Sequence, residues 1–272
     1  MPVITLLTDF GTHDAYAAIM KAVILKISPR TVIVDITHQI APQDVRRAAH
    51  LLAQSYRYFP PQTIHIVVID PGVGGSRAVV ALRVAGQTFL APDNGVLTPV
   101  IDTEEAKKIV RVENSAYFLT PVSPTFHGRD IFAPVGAHLS LGVSLDRLGA
   151  PLPGDALVRL DMAGPRRGKD GRLTGTVIDI DRFGNLITNI DWPCLRRHYP
   201  DPQPASVRFL IGAHHLDRLS RTYGSLKPGI PLVLVGSRGF FEISINQGSA
   251  ADFFAATPGT PVTVWIDNTP DT

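Results

Sequence analysis

Short apolar runs alternate with segments of helical periodicity through the first half of the chain. The apolar runs predict buried strands at residues 3–8, 31–36, 64–69, 78–84 and 88–91. Helical periodicity follows several of these runs, at residues 14–27, 43–58 and 130–141. Buried strands separated by helices are typical of βαβ units, in which helices cover both faces of a parallel sheet. The first half is therefore predicted to be an α/β domain with a Rossmann-like parallel sheet.

The pattern changes after residue 150. Residues 151–172 are rich in proline, glycine and charge, which is typical of an interdomain linker. Beyond them, short apolar runs predict strands at residues 174–181, 185–190, 206–211, 232–235, 240–246 and 261–266. Short strands with frequent turns favour a small antiparallel barrel or sandwich, and the family resemblance given below implies the barrel. The predicted organisation is an N-terminal α/β domain (1–150), a linker (151–172) and a C-terminal β-barrel domain (173–272).

The composition is typical of a globular enzyme. The chain has 272 residues, of which 44% are hydrophobic and 18% charged, and its formal net charge is +2. Its basic residues are scattered, so nucleic acid is a poor partner, and no apolar run approaches the roughly 20 residues that span a bilayer. A single cysteine, Cys194, excludes an internal disulfide, and the N-terminus lacks the pattern of a signal peptide. We therefore expect a cytoplasmic protein without a membrane partner.

Two acidic residues stand where strands of the predicted sheet end. Asp9 follows the first strand and precedes Phe10 and Gly11, and Asp70 follows the third strand. In open parallel sheets, ligands bind beyond the carboxyl ends of the strands. A carboxylate such as that of Asp9 can accept hydrogen bonds from a vicinal diol, as in a ribose, but it is an equally good N-cap for the following helix. The sequence leaves both interpretations open.

The segment after Asp70 combines a glycine-rich turn, residues 71–75, with an arginine. The backbone amides of the turn can line an anion or nucleophile pocket, and Arg77 can pair with Asp70 while donating to a water. A salt bridge that merely closes the loop is the commoner outcome for such a pair. The turn lacks the lysine and hydroxyl residue of a phosphate-binding loop. His127, just ahead of a predicted helix, is either a catalytic candidate or a structural histidine.

Polar turns between apolar strands supply the candidates in the second half. In the turn at residues 181–185, the ring of Phe183 can stack on a purine and the amide of Asn185 can read its edge. A core phenylalanine and a turn-forming asparagine are the structural alternatives, and singly they are more common. The nine histidines show no metal-ligand spacing. No metal is therefore expected, although acids and a histidine from separate loops can still converge.

Six motifs occur in one order along nearly the whole chain. They are TDFG at 8–11, DPGVG at 70–74, APDNG at 91–95, TFHGRD at 125–130, DRFGN at 181–185 and EISINQG at 242–248. In this set and order the chain closely resembles the S-adenosylmethionine hydrolase family, also called hydroxide adenosyltransferases, which is related to fluorinating and chlorinating enzymes that use the same substrate. The resemblance implies an N-terminal α/β domain, a C-terminal β barrel, and a homotrimer whose sites lie between the N-terminal domain of one subunit and the C-terminal domain of the next.

The resemblance also implies roles for individual residues of the first half. Asp70, Arg77 and His127 match the catalytic trio of the family, and Asp9 matches its ribose-binding carboxylate. The implied reaction is attack of a water on the ribose 5′ carbon of S-adenosyl-L-methionine, which releases adenosine and methionine. Asp70 and Arg77 would align the water, Asp70 would accept its proton and His127 would orient Arg77. A sulfonium is a good leaving group, so no cofactor is expected.

Residues of the second half are implied to bind the substrate. The nucleoside contacts are assigned to the turn that contains Asp181, Phe183 and Asn185. Ser237 lies where the family holds the methionine end. Arg238 departs from the hydrolases of the family, which often have an aromatic residue there. On physical grounds, Glu242 can pair with the substrate ammonium.

Two alternative functions remain open at the level of the sequence. The first is a 5′-halogenase of the same fold. It is disfavoured because an ionised carboxylate at Asp70 would repel a halide by about 4 kcal/mol at an effective dielectric near 20. The second is a non-catalytic nucleoside-binding sensor, in which Asp70 and Arg77 form a structural pair only.

Overall fold

The computed structural model describes residues 1–104, 106 and 108–267. The described residues form two compact units, with the boundary between Met162 and Ala163. The boundary falls inside the proline- and glycine-rich segment 151–172. Residues before it pack on the first unit, where the Leu152 N–H donates to the Ile109 carbonyl (2.9 Å) and the Leu160 N–H to Thr98 Oγ1 (2.9 Å). In the part of the chain described, no helix is long and apolar enough to cross a membrane.

The first unit alternates strands and helices. In chain order its elements are β1 (Val3–Thr8), α1 (Tyr16–Ile27), β2 (Val32–Thr37), α2 (Val45–Ser55), β3 (Ile64–Val68), β4 (Val79–Val84), β5 (Gln87–Pro92), α3 (Thr98–Thr103), β6 (Lys108–Arg111) and α4 (Ala133–Ser140). A single π-helical turn, Gly128–Phe132, leads directly into α4. Pro134 therefore lies in the first turn of α4, at the junction with the π-helical turn.

The sheet of the first unit has the strand order β2-β1-β3-β5-β4-β6. Strands β2, β1, β3 and β5 are parallel, whereas β4 runs antiparallel to both of its neighbours. The α/β class is confirmed, but the sheet is mixed instead of purely parallel. The reason is local: Ala85 (φ 51°) and Gly86 (φ 76°) form a two-residue connection with positive φ at both positions, which turns β4 straight back into β5.

Both faces of this sheet are covered. Successive side chains of a strand point to opposite faces, and in β1 Leu6 packs in the cluster that includes Met20 of α1, whereas Leu7 packs in the cluster that includes Leu52 of α2. Helices α1 and α4 cover the first face, and α2 the second. This double burial explains why the strands are continuous apolar runs in the sequence.

The second unit is built mainly of antiparallel strands. In chain order its elements are β7 (Arg166–Arg167), β8 (Leu173–Ile180), β9 (Leu186–Asp191), α5 (Trp192–His198), β10 (Val207–Ile211), β11 (His214–Leu216), β12 (Pro231–Val235), β13 (Phe240–Ile245), α6 (Ala250–Phe253) and β14 (Pro261–Ile266). Helix α5 begins at an N-cap, Asp191, whose carboxylate accepts the Cys194 N–H (2.6 Å).

The strands of this unit follow one path, β11-β10-β14-β8-β9-β13-β12, with β7 beside β8. All of the pairings along the path are antiparallel. An isolated bridge joins Leu219, just after β11, to Val233 of β12, so that the two ends of the path meet. The predicted C-terminal barrel is confirmed as a nearly closed antiparallel barrel around one hydrophobic core.

Candidate active site

The predicted site residues of the first unit stand at one edge of its sheet. Strands β1 and β3 are adjacent and parallel, and Asp9 and Asp70 follow their carboxyl ends. Asn94 follows the next strand, β5, and its Nδ2 donates to the Ile69 carbonyl (2.8 Å). The carboxyl edge of the parallel strands therefore gathers these polar groups, as expected for a ligand site in an open α/β sheet.

Asp70, Arg77 and His127 form one hydrogen-bonded network. Arg77 Nε donates to both carboxylate oxygens of Asp70 (2.8 and 3.0 Å), and Arg77 Nη2 makes a further short contact with Asp70 Oδ2. The same Nη2 lies 2.7 Å from His127 Nδ1. The side chains of Asp70 and Arg77 are only 6% and 12% exposed, which makes this a largely desolvated ion pair. The structure thus brings together all three residues that the resemblance assigned to catalysis.

The glycine turn fixes how the two loops of this network meet. Gly74 has a φ of +75°, and a Cβ added there would lie 2.2 Å from the carbonyl oxygen of Pro124. The backbone of the turn is therefore in direct contact with the loop that carries His127. A residue with a side chain at position 74 would be strained in conformation and would also push this loop away.

The environment of His127 favours its neutral form. Burial, and next the positive charge of Arg77, lower the pKa of His127 below the ordinary value of 6.5, although Asp70 and Asp130 act in the opposite direction. Because an arginine can only donate, His127 Nδ1 must accept the hydrogen bond from Nη2, and the proton of the neutral ring is then on Nε2. The neutral ring can therefore accept a hydrogen bond from the guanidinium without placing a second positive charge beside it.

Asp9 does not cap the helix that follows it. Helix α1 begins at Tyr16, and its N-cap residue, Ala15, makes no side-chain hydrogen bond. Instead, Asp9 Oδ2 accepts the backbone N–H of Gln43 (2.8 Å), a residue in the left-handed region with φ 67°. In the described residues Asp9 Oδ1 accepts no hydrogen bond, which leaves it available to a ligand. Gln43 is a contributor that the sequence did not indicate.

The candidate nucleoside turn of the second unit is held by internal hydrogen bonds to Asp181. Asp181 Oδ1 accepts the backbone N–H groups of Phe183 (2.8 Å) and Asn185 (3.0 Å), and Asp181 Oδ2 accepts Asn185 Nδ2 (2.8 Å). Phe183 is 77% exposed, so it is not a core residue. The buried Asn185 keeps its Oδ1 as an acceptor. Asp181 therefore shapes the turn, whereas the Phe183 ring is exposed and Asn185 Oδ1 is not used within the turn.

A charged cluster lies near this turn in the second unit. Arg238 Nη1 donates to Oδ2 of the buried Asp179 (3.0 Å), while Ser237 is exposed. Glu242 is only 7% exposed, and its Oε1 accepts from the hydroxyl of Tyr223 (2.7 Å). Burial, together with this hydrogen bond, raises the pKa of Tyr223, so the phenol remains a proton donor. Tyr223 is a second contributor that the sequence did not indicate.

No group of three or more histidine, cysteine, aspartate or glutamate side chains in the described ranges is arranged to hold a metal ion. The acids of the first unit that stand nearest to the network are already engaged. Asp130 Oδ2, for example, accepts the backbone N–H of Ser123 (2.8 Å) and an N–H of Arg129 (2.9 Å). The chemistry that these side chains offer is hydrogen bonding and charge.

In comparison with known proteins, both units match domain models of one protein family. The family model of the SAM hydroxide adenosyltransferase N-terminal domain matches residues 4–149, and that of the C-terminal domain matches residues 175–263. An (R)-S-adenosyl-L-methionine hydrolase from Salinispora tropica is 37% identical over 95% of each chain, and one from Thermus thermophilus is 35% identical over 94% of this chain and 96% of its own.

More distant relatives and solved structures are also similar over nearly the full length of the chain. A fluorinase from an Actinoplanes species is 30% identical over 97% of each chain. The crystal structure of an uncharacterized conserved protein from Thermotoga maritima is 38% identical and superposes with a TM-score of 0.88, covering 96% of this chain and 99% of its own. Both domain models match in order over most of the sequence, and the chain therefore belongs to the SAM hydroxide adenosyltransferase family.

Proposed function

We propose that the protein hydrolyses S-adenosyl-L-methionine to adenosine and L-methionine. Four relatives that are 35–37% identical over nearly their full length are named (R)-S-adenosyl-L-methionine hydrolase, whereas the fluorinases are 27–30% identical. The observation that carries the proposal is the Asp70–Arg77–His127 network at the carboxyl edge of the sheet. Chromatography of a reaction with S-adenosyl-L-methionine should give equal amounts of adenosine and methionine. Binding without turnover would instead identify a nucleoside sensor.

The proposed reaction is a single displacement. The oxygen of a water forms a bond to the ribose 5′ carbon while the bond from that carbon to sulfur breaks. The bonding electron pair goes to sulfur, which becomes the neutral thioether of methionine, and the water loses one proton. Charge is dispersed as the sulfonium is discharged, so a water-poor site with one aligned nucleophile favours the transition state.

The network supplies what this displacement needs. Arg77 uses Nε and Nη2 for Asp70 and His127, which fixes the carboxylate beside the guanidinium, so that a water lying against this pair is held in a defined position. A carboxylate oxygen of Asp70 can accept the proton of the same water. His127 fixes the rotation of the guanidinium. Positioning of this kind is worth several kcal/mol of the barrier, on the order of a thousandfold or more in rate.

The nucleoside is proposed to bind through groups on both units. Asp9 Oδ1 would accept from the ribose diol, Phe183 would stack on the adenine, and Asn185 Oδ1 would accept from its exocyclic amine. Together with the family resemblance, this division supports a homotrimer in which neighbouring subunits share each site. Analytical ultracentrifugation should therefore give three chains per particle, and a fully active monomer would contradict the shared site.

The sulfonium epimer and the cofactor requirement are parts of the same proposal. Because four relatives carry the (R) designation in their names, we propose the (R) epimer as the preferred substrate. Assays of the two epimers separately should give the higher kcat/KM with (R).

The displacement needs neither a metal nor another cofactor, so EDTA should leave the rate unchanged. A rate abolished by EDTA and restored by a divalent ion would refute the metal-free mechanism.

The Asp70–Arg77 pair also bears on whether a halide or a water is the nucleophile. The guanidinium of Arg77 offsets much of the negative charge of Asp70, so repulsion of a halide is weaker than for an isolated carboxylate. Water is favoured because Asp70 can accept the proton that a water must lose, whereas a halide has no proton to lose. The higher identity to hydrolases than to fluorinases also favours hydrolysis.

A further inference from the structure

Glu242 is a nearly buried carboxylate with only one of its oxygens occupied. Oε1 accepts two hydrogen bonds, from the Tyr223 hydroxyl (2.7 Å) and from Ser244 Oγ (3.1 Å). Oε2 accepts none from the described chain, and none of its lysines or arginines forms an ion pair with Glu242. The carboxylate is largely desolvated and has no cation beside it, so we expect a cation from outside the chain to complete the site.

The backbone at Gly236 leaves room for the second carboxylate oxygen itself. Gly236 opens the turn between β12 and β13, where its N–H donates to the Phe240 carbonyl (2.9 Å). A Cβ added at Gly236 would lie 2.4 Å from Glu242 Oε2. Gly236 does not have a positive φ, so the requirement for glycine here is one of space for this oxygen and not of backbone conformation.

The surrounding charges select for a cation. Arg238 is committed to the buried Asp179, and both oxygens of Asp181 are used within their own turn. The charges of Asp181, Arg238 and Glu242 all act on the Tyr223 hydroxyl, which places them in one cluster. This cluster contains three carboxylates and one guanidinium, and the guanidinium is already paired. An ammonium is therefore attracted here more strongly than a carboxylate.

We propose that Tyr223 is a positioning residue that presents Glu242 to the α-ammonium of the methionine moiety, and that the enzyme recognises its substrate through this ammonium more than through the α-carboxylate. The inference rests on the proposed hydrolysis of S-adenosyl-L-methionine. Tyr223 and Ser244 hold Oε1 from two sides, which fixes the rotation of the carboxylate and directs Oε2 away from them.

The test compares three substrates: S-adenosyl-L-methionine, its analogue without the α-carboxylate, and its analogue without the α-amino group. For the wild-type protein, kcat/KM should fall by about 10- to 100-fold without the amino group and by less than about fivefold without the carboxylate. Glu242→Gln should lower kcat/KM by about 10- to 100-fold for the two ammonium-bearing substrates and leave the third unchanged. Tyr223→Phe should lower kcat/KM for the same two ammonium-bearing substrates by about 3- to 10-fold and leave the third substrate unchanged.

A matched control separates positioning from general loss of structure. Tyr199 also lies in the second unit, and its hydroxyl donates to the Gly171 carbonyl (2.7 Å), away from Glu242. Tyr199→Phe should leave the ratio of kcat/KM between the substrates unchanged. Fluorescence of Trp192 and Trp265, both in the second unit, checks that each variant is folded. Should Tyr223→Phe fail to fold, Ser244→Ala, which removes the other donor to Oε1, tests the same selectivity.

The outcomes distinguish this inference from the proposed function. If the wild-type protein forms adenosine but Tyr223→Phe or Glu242→Gln slows all three substrates equally, hydrolysis stands and the ammonium site is wrong. A wild-type protein that prefers the carboxylate-bearing, amino-free analogue would also overturn it. If no adenosine forms at all, the proposed function fails, and the same ratios are then read from calorimetric binding of the three ligands.

Discussion

Replacing Arg77 with methionine should destabilise the first unit by roughly 3–5 kcal/mol, because it leaves a buried carboxylate without its cation. The magnitude follows from the geometry. The Asp70 side chain is 6% exposed and receives two hydrogen bonds from Arg77 Nε, in addition to the Nη2 contact. Two unit charges about 4 Å apart attract by about 4 kcal/mol at an effective dielectric near 20, which agrees with that range.

A double-mutant cycle of Arg77→Met with Asp70→Asn measures this energy. Urea denaturation is followed by far-ultraviolet circular dichroism. Fluorescence reports on the second unit as an internal reference, because both tryptophans, Trp192 and Trp265, lie there. The cycle should give a coupling of at least about 2 kcal/mol. As a control, Arg159→Met breaks the exposed pair with Asp102 and should cost less than about 1 kcal/mol. The same cycle on the exposed pair, Arg159→Met with Asp102→Asn, gives the coupling for comparison. If the Asp70–Arg77 coupling is no larger than this value, the buried pair does not supply the energy assigned to it.

Three further predictions follow from the first unit. Asp9→Ala should raise KM with little change in kcat, whereas Asp70→Ala should chiefly lower kcat; near-normal turnover by Asp70→Ala would contradict its assigned role. Turnover should be level near pH 6.5, the ordinary pKa of histidine, and should fall only at lower pH, because protonation of His127 Nδ1 removes the acceptor for Arg77. His127→Gln should abolish that fall. A variant with an unchanged pH profile would contradict the role of His127. Burial lowers the pKa of His65 to about 4, so the unfolded state binds one more proton between pH 6.5 and about 4. Stability should therefore decrease as pH falls through that window, by about 3 kcal/mol in all, and urea titrations of His65→Gln should lack this component.

The sequence predicted those features that depend on local pattern. Strands buried on both faces read as continuous apolar runs, so β1 and β3 were located within a residue or two, and their carboxyl ends placed Asp9 and Asp70 at the edge where ligands bind. The direction of β4 was missed because the two-residue turn at Ala85 and Gly86 carries only one glycine. Helix α5 was missed because seven residues are too few for helical periodicity to be visible.

The remaining site features depend on tertiary contacts that no spacing encodes. Gln43 contributes its backbone N–H, so its side-chain type carries no signal for the contact with Asp9. Tyr223 lies 19 residues before Glu242, in a turn whose path is set by the barrel. Asp181 was predicted as a binding residue, but both of its oxygens are used to shape its own turn. Its role in binding the substrate stays a prediction.

The fate of oxygen from water separates hydrolysis from halogenation and from binding without turnover. The protein is incubated with S-adenosyl-L-methionine in water labelled with heavy oxygen, with fluoride and chloride present in excess, and the products are separated and analysed by mass spectrometry. A water held by the Asp70–Arg77 pair predicts adenosine that carries one labelled oxygen at the 5′ position, together with methionine in equal amount. A 5′-fluoro- or 5′-chloro-deoxyadenosine as the main product, or substrate that is bound but never cleaved, would contradict the account.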